Sequence, residues 1–144
     1  LTVDYPPEEC AEWVEHLRQQ ELDAIFLLSP TTPQTRIEQV AEMAQGYVYY
    51  VSLKGVTGAS HLDLSEVANK LDQLRSHISI PIGVGFGIRD GATAKAVAGL
   101  ADAVVVGSRI IEEIEKSPRT EVLANVARLV KGLRSAIDEV SSKH

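Results

Sequence analysis

Three glycine turns stand where a backbone could hold an anion: Gly55-Val56-Thr57-Gly58, Gly85-Phe86-Gly87 and Gly107-Ser108. Each follows a short apolar run. Glycine lets the main chain approach a ligand closely, so that its N–H groups can cradle a phosphate without a metal or an arginine clamp. One such turn says little, because any strand end in an α/β protein needs residues that turn. Three at successive strand ends favour a shared phosphate site in which Gly58, Gly87, Gly107 and Ser108 converge. A short helix starting near Ser108 would add the positive end of its dipole. The run Gly83-Val84-Gly85-Phe86-Gly87 invites a dinucleotide reading, which fails on two counts. Its spacing is G-x-G-x-G, and no acidic residue ends a second strand about 20 positions on, since Asp102 precedes a strand instead.

Other chemistries find less footing. Ser52 and Ser108 have no histidine in a triad context, because His16, His61, His77 and His144 fall on predicted helices, a loop and the terminus. No Cys/His cluster has metal-ligand spacing, so no metal site is predicted, and the single Cys10 excludes an intramolecular disulfide. A reducing cytoplasm fits that usage. No run approaches the ~20 apolar residues of a membrane-spanning helix, and no basic region followed by an apolar core opens the chain. The net charge of −6 argues against a nucleic-acid footprint. Residues 1–23 carry seven acids against Arg18, whereas 116–144 carry six bases against three acids, an asymmetry of solvated helices.

The elements that must position the turns follow from periodicity. Five apolar runs read as strands buried on both faces: Leu1 to Val3, Ala24 to Leu28, Tyr47 to Val51, Ile80 to Val84 and Ala103 to Val106. Helices lie between them. Pro6-Pro7 opens one over residues 8 to 21. Ile37, Val40, Ala41 and Ala44 mark the next, behind a Thr32 cap and a first-turn Pro33. Leu64, Val67, Ala68, Leu71 and Leu74 repeat the pattern. Leu123, Val126, Ala127, Val130 and Ile137 mark a long last helix, behind a Ser117 cap and Pro118. A short apolar segment, Arg109 to Glu115, precedes it.

Alternating strand and helix means a parallel sheet. Glycines at the carboxyl ends of the last three strands, and the short extra helix after the last one, favour a closed barrel over an open doubly wound sheet. An eight-fold barrel takes ~250 residues, so five strands are the C-terminal part of one, about five βα units. With 44% hydrophobic and 24% charged residues, residues 1–144 are predicted as a single partial barrel domain without linkers or repeats. The sequence opens inside a strand, at Leu1-Thr2-Val3-Asp4, which predicts a fragment whose open sheet edges pair with the missing half or with a second copy.

The stretch from Gly46 to Ala59, followed by Pro81-Ile82-Gly83-Val84-Gly85-Phe86-Gly87-Ile88 and Val106-Gly107-Ser108-Arg109-Ile110, resembles the tryptophan synthase alpha subunit family. Asp4-Tyr5-Pro6 and Leu28-Ser29-Pro30-Thr31-Thr32-Pro33 resemble that family's fourth and fifth strand ends, so the resemblance runs the length of the chain, beginning at the fourth strand. It implies a (β/α)8 (TIM) barrel lyase of tryptophan biosynthesis that cleaves indole-3-glycerol phosphate by a retro-aldol reaction into indole and glyceraldehyde 3-phosphate. It implies no cofactor in this chain and a beta-subunit partner that uses pyridoxal phosphate. By the same resemblance Gly58, Gly87, Gly107 and Ser108, with Thr57 beside them, hold the phosphate, while Tyr49 and Phe86 wall the indole pocket. The family's two catalytic carboxylates lie upstream of Leu1, which leaves no catalytic residue in this chain. Two alternatives stand beside this reading. One is a non-catalytic module that binds a phosphate ligand or docks on the beta subunit. The other is a different phosphate-binding barrel, such as a histidine-pathway enzyme.

Overall fold

The computed structural model describes residues 1, 6–51, 64–85 and 87–141. Four strands form one parallel sheet in the order β1 (Phe26–Leu28), β2 (Val48–Val51), β3 (Ile82–Gly85) and β4 (Ala103–Val105). They match four of the five predicted apolar runs, each within two residues at its ends. The run at the N-terminus lies mostly outside the described residues. Six α-helices accompany the sheet: α1 (Ala11–Gln19), α2 (Gln34–Met43), α3 (Leu64–Arg75), α4 (Gly91–Ala98), α5 (Ser108–Lys116) and α6 (Val122–Ser141). No helix among the described residues is long and apolar enough to cross a membrane.

The register explains where the core sits. Phe26 pairs with Val48 and Val48 with Ile82, while Leu28, Tyr50, Val84 and Val104 form a second row. Side chains alternate across a strand, so these rows share a face, and all but the partly buried Val104 are at most 5% exposed. Ile37 and Val40 of α2, Val67, Leu71 and Leu74 of α3, and Ala94 and Val97 of α4 complete that core. Full burial of a Leu, Ile or Val side chain contributes ~1.5–3 kcal/mol, so this layer is what makes the sheet and helices one unit. The opposite row, Leu27, Tyr49, Gly83 and Ala103, is less uniformly covered, with Leu27 and Tyr49 half-buried and Ala103 exposed. That corrects the expectation of strands buried on both faces. The four described strands make an open sheet, and a barrel interior is closed only when eight surround it.

Three local expectations also change. Thr32 does not cap α2, whose N-cap is Pro33 without a side-chain bond. Its hydroxyl instead accepts from the Ser29 N–H at 2.9 Å, closing the turn after β1. Ser117 ends α5, and its Oγ accepts from Asn125 Nδ2 at 3.0 Å, while α6 begins only at Val122. Finally α6 faces the core through Leu129, Leu133 and Ile137, leaving Leu123 at 87% and Val130 at 44% exposure.

Candidate functional site

The carboxyl ends of β2, β3 and β4 lie side by side, because the strands are parallel and in register: Val51 pairs with Gly85, and Gly85 with Val105. Gly87 and Gly107 follow that last pair by two residues in sequence, just past the ends of β3 and β4. Of the predicted site, Gly87, Gly107 and Ser108 follow the carboxyl ends of β3 and β4, while Tyr49 lies within β2, paired with Gly83. Thr57, Gly58 and Phe86 lie outside the described residues.

What these glycines do is separable. Glycine is required where φ is positive or where a neighbour leaves no room for a Cβ. Among the described glycines only Gly46 has a positive φ, so neither Gly87 nor Gly107 does, and Gly107 has φ −115°. Nor does packing demand them: a Cβ at either position would meet nothing within 4 Å among the described residues. Both are exposed. Among the described residues nothing fills the space above the backbone just past the ends of β3 and β4, the arrangement a ligand pressed onto main-chain N–H groups needs.

Gly107 is also the N-cap of α5 and, having no side chain, makes no side-chain cap bond to the first N–H groups of that helix. No acidic residue occupies its first turn. The positive end of the helix dipole is therefore open to an anion at Ser108. The neighbouring α4 begins differently. Its cap, Asp90, accepts from Thr93 N and from Thr93 Oγ1, both at 2.8 Å, and those bonds hold the Asp90 carboxyl below its usual range. The carboxylate is thus engaged by its own helix, and Arg89 is exposed.

Tyr49 is seated by β3. Its phenol lies over Gly85: a Cβ added there would overlap the hydroxyl and come within 2.5 Å of Cε2 and 2.6 Å of Cζ. Tyr47 lies over Gly83 in the same way, with Cδ2 3.3 Å from the position of an added Cβ. Gly85 read from sequence as part of a turn, yet it belongs to β3 and makes room for a ring. The period-two pairing of Tyr47 and Tyr49 with Gly83 and Gly85 was the available signal. Sequence reasoning also missed Arg109, one residue past Ser108, whose Nη2 donates to Glu113 Oε2 at 2.7 Å. Their i,i+4 spacing on a short helix was the mark of that pair. No group of three or more His, Cys, Asp and Glu among the described residues could hold a metal.

Comparison with known proteins bears on the same region. The family model described as tryptophan synthase alpha chain matches residues 1–138. The tryptophan synthase alpha chain of Nitrosospira multiformis is 75% identical over 141 residues, which is 98% of this chain and 50% of that protein. A crystal structure of tryptophan synthase subunit alpha from Legionella pneumophila superposes with a TM-score of 0.83 at 35% identity, covering 95% of this chain and 50% of that one. A tryptophan synthase complex from Pyrococcus furiosus gives a TM-score of 0.75 at 25% identity over 93% of this chain and 52% of the matched chain. The chain thus spans about half the length of the relatives it matches, consistent with the predicted C-terminal part of a barrel.

Proposed function

Because the chain belongs to the tryptophan synthase alpha chain family, we propose that it carries the phosphate-binding and part of the indole-binding half of a lyase site. The reaction is retro-aldol cleavage of indole-3-glycerol phosphate. The bond between indole C3 and the glycerol chain breaks, a proton goes to C3, and a proton leaves the adjacent glycerol hydroxyl as its carbon becomes an aldehyde. Indole and glyceraldehyde 3-phosphate account for every atom of the substrate. Family membership sets aside the histidine-pathway alternative.

In this reading Gly87, Gly107 and Ser108 hold the phosphate with main-chain N–H groups, joined by Gly58 and Thr57, and Tyr49 and Phe86 wall the indole. The observation that carries it is that neither a positive φ nor packing among the described residues accounts for Gly87 and Gly107. The open N-terminus of α5 supports it. A site of this kind anchors the substrate by its inert end and fixes the angle of the reacting bond, which is positioning rather than proton transfer. The two proton-transfer carboxylates come from chain upstream of Leu1, and each general acid or base is worth ~10²–10⁴-fold. The reading includes no cofactor in residues 1–144, which act as one domain, a beta-subunit partner that holds pyridoxal phosphate and takes up the indole, and a cytoplasmic location.

The test is phosphate affinity. Titration of the chain with glycerol 3-phosphate should give saturable binding that Gly87→Ala and Gly107→Ala each weaken about tenfold, at unchanged unfolding midpoints. Equal affinity in both variants would remove the reading.

A further inference from the structure

A cavity of about 270 Å³ lies on the helix side of α5, between the start of α4 and the middle of α6. Its walls are Arg109 and Glu113 of α5, Arg128 and Gly132 of α6, and an apolar floor of Leu129 and Leu133. None of these residues belongs to the phosphate site proposed above.

Gly132 shows that the space is not a packing accident. It stands in the interior of the 20-residue α6, where glycine is unfavourable relative to alanine. Close packing does not demand it, since a Cβ there would meet nothing within 4 Å among the described residues. The close approach of the two helices is made by the Gly132 backbone and Ala136: a Cβ on Gly91 would lie 3.8 Å from Gly132 O and 3.1 Å from Ala136 Cβ. A side chain at 132 would border the cavity and occupy part of it.

The charges set the ligand class. Arg109 and Glu113 pair with each other at 2.7 Å and are each about a quarter exposed, so together they leave the cavity neutral. Asp90, next to Gly91, turns its carboxylate to Thr93. Arg128 is different: its Nη1 donates at 3.1 Å to the neutral Asn125 Oδ1, and no carboxylate among the described residues forms an ion pair with it. Asn125 is itself fixed by its bond to Ser117 Oγ. Arg128, an exposed residue, thus uses one of its five donors at the rim, and it places over the apolar floor a positive charge that no ion pair among the described residues offsets.

We propose that this cavity binds a small monocarboxylate, with its carboxylate on Arg128 and a short branched apolar body on Leu129 and Leu133. The probe is isovalerate, with isopentanol as its neutral counterpart, titrated into the isotopically labelled chain and followed by amide NMR. Isovalerate should shift the Gly132 and Asn125 amides saturably, and isopentanol should bind about tenfold more weakly or worse, as expected for loss of a charge-assisted bond. Arg128→Ala should weaken isovalerate to the same degree, and Gly132→Leu should abolish binding while the far-UV CD spectrum stays that of the parent. Inorganic phosphate should instead move Gly87, Gly107 and Ser108, so the two sites pass or fail separately. Equal affinity for isovalerate and isopentanol, full binding by Arg128→Ala, or no saturable shift at Gly132 would each overturn the proposal.

Discussion

Replacing Gly85 by alanine tests whether β3 seats the Tyr49 ring. The added Cβ would stand 2.5 Å from Cε2 and 2.6 Å from Cζ and would overlap the hydroxyl. Carbon atoms rest at about 3.5–4.0 Å, so ring and strand must separate by roughly 1 Å. Overpacking of that order costs ~1–3 kcal/mol. Alanine recovers ~0.4–1 kcal/mol by restricting the unfolded chain. The net loss is then roughly 1–2 kcal/mol. Urea unfolding of the parent, Gly85→Ala, Tyr49→Leu and the double variant measures it. Because leucine lacks the atoms that collide, the double variant should be more stable than the sum of the singles by ~1 kcal/mol or more. Losses that add to within ~0.5 kcal/mol would show that Tyr49 and Gly85 are independent and would refute the packing argument.

Asp90→Ala should cost ~0.5–2 kcal/mol near neutral pH through loss of the α4 cap. Its folded carboxyl titrates below the unfolded value of ~3.9, so its contribution is present above that value and lost as pH falls through the folded one. The gap between parent and variant should therefore be constant from pH 7 to about 5 and narrow below about 4 in urea titrations. Gly46→Ala should destabilise by ~1–2 kcal/mol from the left-handed backbone alone, since φ is +71° and a Cβ there would lie 2.7 Å from Asp23 Oδ2. A thermal midpoint unchanged from the parent would refute that reading of the turn.

Strand and helix order was legible because apolar runs follow burial, and Phe26, Leu28, Val48, Tyr50, Ile82 and Val84 are buried, but the continuous runs carried no alternation to mark which face would be less covered. The phase of α6 was not. That helix carries two apolar stripes, one through Leu129 and Leu133 and one through Leu123 and Val130, and only packing against α4 and α5 selects between them. Thr32 and Ser117 misled for a related reason. A hydroxyl before a proline is a cap by composition, but a turn closed on Ser29 or a bond from Asn125 competes for the same oxygen. Of the residues proposed for the site, Gly87, Gly107 and Ser108 lie just past the ends of β3 and β4. The role of Gly85 was hidden because its reason lies across the sheet, in a tyrosine 36 residues earlier.

The central claim is that this chain anchors the substrate while the acid and base come from upstream. Indole release from indole-3-glycerol phosphate should be measured for the chain alone, for the upstream half of an alpha subunit alone, and for the two mixed. The account predicts release only from the mixture. Release by the 144-residue chain alone would contradict it and return the proton-transfer groups to this sequence.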